Sequence, residues 1–403
     1  MDILGKGVRK LTACATFMNE FDFIDSLRQR ANSRKHSARV LTGIGDDASI
    51  IAQSADRDLI VTTDLLVEGV DFHRGATPAR LLGHKGLAVS LSDIAAMGAR
   101  PFWSFLSIGM PRAEWATSFK DDFFEGYFSL ADRFGVTLSG GDVSETKEGI
   151  VIDSIVLGEV KSGAAVKRSD ARPGDQIYVT GNLGGAAAGL KLIENGARVR
   201  QETAVRSQES ERSSSPTSGS PSGQPAWGGA VREGDTEPLA IASGSTQPDQ
   251  STLRSDEDSI QSLVLRQLRP SPRVGWGIVL GEEGLATAMI DISDGLSSDL
   301  NHLCRESQAG ALIDSSSIPL DDDVKRLCGR RALDPLALAL HGGEDFELLF
   351  TVTPENVSRL PKRVDGVAIS HIGEITDADR TIRIREKDRI WDLQSQGFSH
   401  FKD

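Results

Sequence analysis

Carboxylates beside glycines and strand ends dominate the chemistry of this sequence. GIGDDA holds Asp46 and Asp47, TTDLLVEGVD holds Asp64, Glu68 and Asp71, and LSDIAAMGARP holds Asp93. SGGD holds Asp142, IDISDG holds Asp291 and Asp294, and HGGEDFE holds Glu344 and Asp345. Loops at strand ends are where α/β proteins bind ligands, and glycine lets the backbone turn or approach a ligand closely. Gathered carboxylates repel one another and call for a cation. Oxygen ligands select Mg²⁺ or another hard ion, whereas zinc prefers sets of His and Cys. Mg²⁺ in turn commonly presents a polyphosphate. Any one of these motifs is equally an ordinary Asp-Gly turn. Their recurrence along one chain is what points to a metal-dependent enzyme.

Phosphate handling has weaker signals. TGNLGGAAAGL (residues 180–190) has the strand, Gly loop and helix order that aims backbone N–H groups at an anion. It is neither a Walker A sequence nor a true G-x-G-x-x-G, so tight packing by Gly and Ala explains it at least as well. Arg168 and Lys167 could pair with a phosphate or form a solvated basic pair. Other features carry less. Asp321, Asp322 and Asp323 read as an exposed turn, and Asp291 and Asp294 lack EF-hand spacing. No G-x-S-x-G occurs with a matching His. His73, His84 and His341, which lie near motifs, read as structural.

The elements that must position these groups alternate between strand and helix. Residues 58–64 form a β-branched run ending in a carboxylate. Thr77-Pro78 opens a helix that Gly98 stops. Phe119, Phe123, Tyr127 and Leu130 repeat at helical spacing and should bury one face. Residues 149–160 read as a long strand, 172–181 as a turn and strand, and 182–196 as a Gly-rich loop and helix. A strand at 287–293, a helix at 296–307 and a strand at 345–352 follow. The fold class is α/β with mixed sheets in two domains. Residues 1–18 read as an N-terminal extension, 19–165 as a first α/β domain that holds most of the carboxylate motifs, and 166–403 as a second α/β domain. From about 201 to 262 the chain turns rich in Ser, Gly, Pro and Gln and reads as a disordered insertion, with Trp227 as its sole aromatic.

Composition excludes several classes. The 403 residues carry 45 Lys and Arg against 58 Asp and Glu, a formal charge of −13, which argues against a general nucleic-acid binder. Ten acidic and four basic residues, a share of −6, fall within 201–262, leaving −7 for the rest. No apolar run is long enough to span a membrane, and the first twenty residues lack the apolar core of a secretory signal. Cys14, Cys304 and Cys328 are odd in number and widely spaced, so neither a disulfide framework nor a zinc site is expected, and the cytoplasm is the expected compartment.

In order along the chain, GIGDDA, VTTDLLVEGVDF, LSDIAAMGARP, SGGDVSE, RSDARPGDQIYVTGNLGGAAAGL, IDISDGLSSDL and GGEDFELLFTV resemble the thiamine-monophosphate kinase family, within the superfamily of aminoimidazole ribonucleotide synthetase. The resemblance runs from about Glu20 to His400, apart from the insertion. It implies a homodimer that uses ATP and several Mg²⁺ ions to phosphorylate thiamine monophosphate to thiamine diphosphate, by direct in-line transfer without a phospho-enzyme. Phosphoryl transfer of that kind needs positioning and charge neutralisation more than a protein nucleophile. Carried over by motif, Asp46, Asp47, Thr62, Thr63, Asp64, Asp93, Asp142, Asp291 and Asp294 are metal positions. Gly141, Asp142, Arg168 and Ser293 are ATP positions. Asp71, Glu344 and Ser395 are acceptor positions.

Two departures fall on the acceptor side. Asp71 stands where the family usually has His, with His73 two residues later. Ser395 stands where it usually has an aromatic, with Trp391 four residues earlier. The rival readings are another enzyme of the superfamily, or a nucleotide-binding protein whose acceptor pocket has decayed. A selenophosphate synthetase would want a reactive Cys in a Gly-rich segment, and Cys14 in LTACATF has no such setting.

Overall fold

Period-two alternation builds the first sheet. In the computed structural model, which describes residues 24–25, 28–29, 39–200, 256–331, 333–377 and 380–397, it comprises β1 (Val40–Thr42), β2 (Ser49–Ala52), β3 (Arg57–Val67), β4 (Arg100–Pro111), β5 (Thr137–Thr146) and β6 (Val151–Lys161). Their order is β1-β2-β3-β6-β4-β5, all neighbours antiparallel except the parallel β4–β5 pair. Ile60, Thr62 and Leu66 of β3 and Ile152, Ser154 and Val156 of β6 point to one buried face. Leu65, Trp103 and Phe105 point to the other and are exposed.

Helices cover the buried face. α1 (Ala79–Ala96) is apolar on nearly every side because it is enclosed on nearly every side. Gly98, at φ +69°, ends it as expected. A short α2 (Arg112–Trp115) leads to α3 (Phe119–Phe134), whose Phe123, Tyr127 and Leu130 are buried, the face that their spacing implied.

The second sheet comprises β7 (Gln176–Thr180), β8 (Ala286–Asp291), β9 (Gly310–Asp314), β10 (Leu348–Val352), β11 (Arg363–Val364), β12 (Val367–Thr376), β13 (Ile382–Glu386) and β14 (Arg389–Asp392). It runs β14-β13-β9-β12-β7-β10-β8, with β11 paired to β12. Its helices are α4 (Gly185–Glu194), α5 (Asp256–Leu268), α6 (Val274–Glu282), α7 (Leu296–Ser307), α8 (Asp322–Arg331) and α9 (Pro335–His341). In α4, a Cβ on Gly189 would lie 2.0 Å from the Leu263 carbonyl oxygen of α5. Packing is therefore one reason for the glycines of that helix.

The two sheets share an apolar core. Val274, Trp276 and Leu280 of α6 and Leu348 and Phe350 of β10 belong to the same buried cluster as Leu87, Leu91 and Ile94 of α1. The seam is tight: a Cβ on Gly277 would lie 2.2 Å from the Ala95 carbonyl oxygen, and one on Gly281 2.6 Å from that of Gly98.

Three expectations need correction. Residues 256–262, assigned to the disordered insertion, form the first half of α5, and Asp256, Glu257 and Asp258 are its acidic first turn, where the helix dipole favours negative charge. Asp321 and Asp323 are buried rather than exposed: Asp321 caps α8 by accepting from the Asp323 amide at 2.9 Å and pairs with Arg266 at 2.8 Å. The last strand of the HGGEDFE region starts at Leu348 rather than Asp345, because the backbone turns through positive φ at Phe346 and cannot be extended there. The rest of the expected insertion, the extension at 1–18, Cys14 and Trp227 lie outside the described residues.

Candidate active site

Three carboxylates meet where the two sheets join. Asp47 precedes β2, Asp93 sits in the last turn of α1 and Asp291 ends β8. One oxygen from each lies within 4.8 Å of the others. Each is held by a neighbour. Arg168 grips Asp47 with Nη2 2.6 Å from Oδ1 and Nε 3.0 Å from Oδ2. The Thr62 hydroxyl donates to Asp93, and the Ser92 hydroxyl donates to Asp291 at 2.6 Å. Asp64 lies close by and accepts from Ser90 at 2.7 Å.

Burial and crowding make the carboxylates around Asp47 reluctant to ionise. Burial, then the charge of Asp47, push Asp46 up to about 7 and Asp291 up to about 8. Burial, opposed by the Ser90 bond and aided by Asp153 and Asp47, raises Asp64 to about 6. Asp93 is held well above the usual carboxylate range by burial and by Asp64, Asp291 and Asp47. Oxygen donors that repel each other in a buried place fit a hard divalent cation.

A cavity of about 730 Å³ lies beside the cluster. Asp64, Asp71, Ser293, Asp294 and Glu344 line it, together with apolar Leu66, Val89, Leu338 and Phe346. Lys191 is the cation of this wall and His341 its imidazole. The loop after β8 is shaped by Asp299, whose Oδ2 accepts from the amides of Asp294 at 3.2 Å and Gly295 at 3.0 Å. The loop before β10 is laced to it: the Glu344 amide donates to the Ser293 carbonyl at 2.7 Å and that of Phe346 to Ile292 at 2.9 Å. Glu344 and Phe346 both hold positive φ, at 65° and 48°, a cost such lacing sustains at ligand sites.

The expected residues divide accordingly. Asp46, Asp47, Thr62, Asp64, Asp93, Asp291 and Arg168 are gathered, and Ser293, Asp294, Asp71 and Glu344 face the adjoining cavity. Asp71 also closes its own turn, accepting from the Val67 amide at 2.7 Å. Ser395 is next to the lining residues Gln396 and Gly397, whereas Trp391 is on β14, at the opposite edge of the sheet from β8 and away from the cavity wall. Thr63, Gly141 and Asp142 are not brought to the trio. Thr63 donates to Asp153 at 2.8 Å, and Asp142 stands in register with Ser107, itself opposite Asp153, so these side chains share the sheet's open face. The α4 N-terminus is not free for a phosphate, because Asp345 accepts from the amides of Gly184 at 2.7 Å and Ala186 at 3.1 Å. His84 bonds the Pro270 carbonyl at 2.8 Å, the structural role expected of it.

Lys85, Ser90, Ser92, Asp153, Gln267 and Asp299 escaped the sequence reading. The three on α1 sit inside an apolar helix, where each polar residue could have been questioned as a buried group needing a partner. Gln267 gave no signal at all.

The chain matches two family models: AIR synthase related protein, N-terminal domain, over residues 45–160, and AIR synthase related protein, C-terminal domain, over 266–385. It is 31% identical to a thiamine-monophosphate kinase of Buchnera aphidicola (subsp. Schizaphis graminum) over 95% of this chain and 99% of that one. It is 33% identical to the Escherichia coli K12 thiamine-monophosphate kinase, over 93% and 97%. Among solved structures, that of AaThiL complexed with AMPPCP and TMP superposes with a TM-score of 0.70 at 26% identity, covering 95% of this chain and 97% of that one. Its two matched domains and its near full-length likeness to these kinases show that the chain belongs to the thiamine-monophosphate kinase family.

Proposed function

We propose that this protein transfers the γ-phosphoryl group of ATP to thiamine monophosphate, giving thiamine diphosphate and ADP. The observation that carries the reading is the trio of buried Asp47, half-buried Asp93 and buried Asp291 adjoining a cavity with Asp71, Asp294 and Glu344 on its wall. One edge of that space offers hard oxygen donors for the metal of a nucleotide, and the other offers negative charge to a cationic thiazolium.

In this reading a phosphate oxygen of thiamine monophosphate attacks the γ-phosphorus in line, the bond to the β-phosphate oxygen breaks, and no side chain is phosphorylated. Asp47, Asp93 and Asp291 would hold Mg²⁺, with Asp46, Thr62, Asp64 and Asp294 as further positions. Bound there, Mg²⁺ supplies neutralisation of phosphate charge. Arg168, already beside the trio, is suited to a nucleotide phosphate, and Ser293 lies on the cavity wall. Thr63, Gly141 and Asp142 keep their metal and nucleotide roles on the strength of the family resemblance. Asp71, Glu344 and the segment around Ser395 are the acceptor side.

The open face of the first sheet, with Leu65 59% exposed beside Trp103 and Phe105, supports a homodimer. The location we propose is the cytoplasm, in keeping with the free, buried Cys304 and Cys328. No helix among the described residues is long and apolar enough to cross a membrane. The test is direct. The protein is incubated with ATP, Mg²⁺ and thiamine monophosphate, and thiamine diphosphate is sought by chromatography. ATP binding without product from any thiamine or aminoimidazole phosphate would overturn the reading.

A further inference from the structure

Glu344 is held by two residues that the family motifs do not include. Lys85, on α1, is only 1% exposed, and a buried ammonium needs a partner. Its Nζ lies 2.5 Å from Glu344 Oε1 and 3.5 Å from the Asp71 carbonyl oxygen. Gln267, in the last turn of α5 and 4% exposed, donates its Nε2 to Glu344 Oε2. The other end of that amide is anomalous, since Gln267 Oε1 is buried and accepts no hydrogen bond among the described residues. Turning the amide over would set Oε1 against the carboxylate, so Glu344 dictates the orientation. Leu or Met would fill the same space without an unpaired carbonyl, which costs stability. Folding alone gives no reason for Gln there, but Glu344 does. The Glu344 backbone is fixed as well, at φ +65° and with its amide on the Ser293 carbonyl.

We propose that Lys85 and Gln267 are positioning residues that clamp the Glu344 carboxylate, one donor on each oxygen, so that it meets the cationic or N–H-bearing heterocycle of the acceptor in one orientation. Glu344 then recognises the acceptor through its remaining lone pairs. The clamp joins α1, α5 and the loop before β10, so the acceptor wall draws on both sheets. The inference rests on the kinase reading above, and the experiment separates the two.

Wild type, Gln267→Leu and Lys85→Met are assayed for thiamine diphosphate formation, with KM measured for each substrate and Tm by scanning calorimetry. For Gln267→Leu the expected result is a KM for thiamine monophosphate about tenfold higher, as befits a lost hydrogen bond to a charged group. Its KM for ATP stays within about twofold on the same argument, and its Tm is unchanged or higher because the orphaned carbonyl is gone. A lower Tm with an unaltered acceptor KM makes Gln267 merely structural and overturns the clamp. Should Lys85→Met not fold, Gln267→Leu decides alone. Absence of product from the wild type overturns the kinase reading itself and removes the clamp's ligand with it. Product from the wild type with unchanged acceptor KM in the variants overturns the clamp only.

Discussion

Ser92 of α1 donates a 2.6 Å hydrogen bond to Asp291 at the end of β8, across 199 residues of sequence. It ties the helix over the first sheet to the edge strand of the second at the point where charge accumulates. A neighbour of this kind orients a ligating carboxylate, and its loss typically weakens metal binding or activity by about 10- to 100-fold. Ser92→Ala should therefore fold and raise the Mg²⁺ concentration needed for half-maximal turnover by at least about tenfold. A Mg²⁺ titration of product formation checks it, and an unchanged midpoint would remove Asp291 from the metal set.

Asp93→Asn should separate stability from activity. At alkaline pH, where the crowded carboxylates have lost their protons, it removes one negative charge from a self-repelling cluster and keeps the shape. Without Mg²⁺ the variant should melt higher than wild type, by about 1–2 °C per kcal/mol, since the shift shrinks as the chain grows. Turnover should fall by at least about 100-fold, in line with loss of a metal-held phosphate. Calorimetry and the product assay test the two halves independently. A variant with full turnover refutes the metal assignment.

The same repulsion gives a pH signature. Asp64, Asp46 and Asp291 are raised to about 6, 7 and 8, above the ordinary carboxylate value they hold unfolded. Between those limits the folded state binds protons that the unfolded state does not, so metal-free stability falls as pH rises. Tm without Mg²⁺ should decline from pH 6 toward pH 8. Mg²⁺ binds the deprotonated cluster, so its stabilisation should be larger at pH 8 than at pH 6. Equal stabilisation at both pH values would count against metal at these carboxylates.

Glu347 supplies the contrast of a carboxylate that serves the fold. It is fully buried and bonded by Arg273 through both oxygens and by Thr180 at 2.7 Å. Glu347→Ala leaves Arg273, whose side chain is only 12% exposed, without its partner and should cost about 3–5 kcal/mol. Urea unfolding measures it. A loss below about 1 kcal/mol would show the pair to be solvent-screened.

Sequence and structure agree wherever one local signal decides the matter. The spacing of Phe123, Tyr127 and Leu130, the stop at Gly98 and the β-branched run before Asp64 each name their element. They disagree where a long-range partner decides. Asp321 reads as an exposed turn until Arg266 is beside it, and the acidic start of α5 reads as part of the insertion until its apolar face meets α4. The convergence of Asp47, Asp93 and Asp291 follows from the topology, which no spacing could reveal. The position of Asp142 depends on strand register, which places it across the sheet from them.

The glycine contacts between α1 and α6 have a geometric consequence for that convergence. Ala95 and Gly98 abut Gly277 and Gly281 with no room for a methyl group, only a few residues beyond Asp93. Asp93 belongs to one side of this contact, and Asp291 belongs to the strand that follows the other. The seam thus works as a calliper, and its closure sets the gap between carboxylates that arrive from different sheets. A single methyl at Gly277 would open the calliper, so its effect would reach the spacing of the three carboxylates before it reached any side chain on the cavity wall.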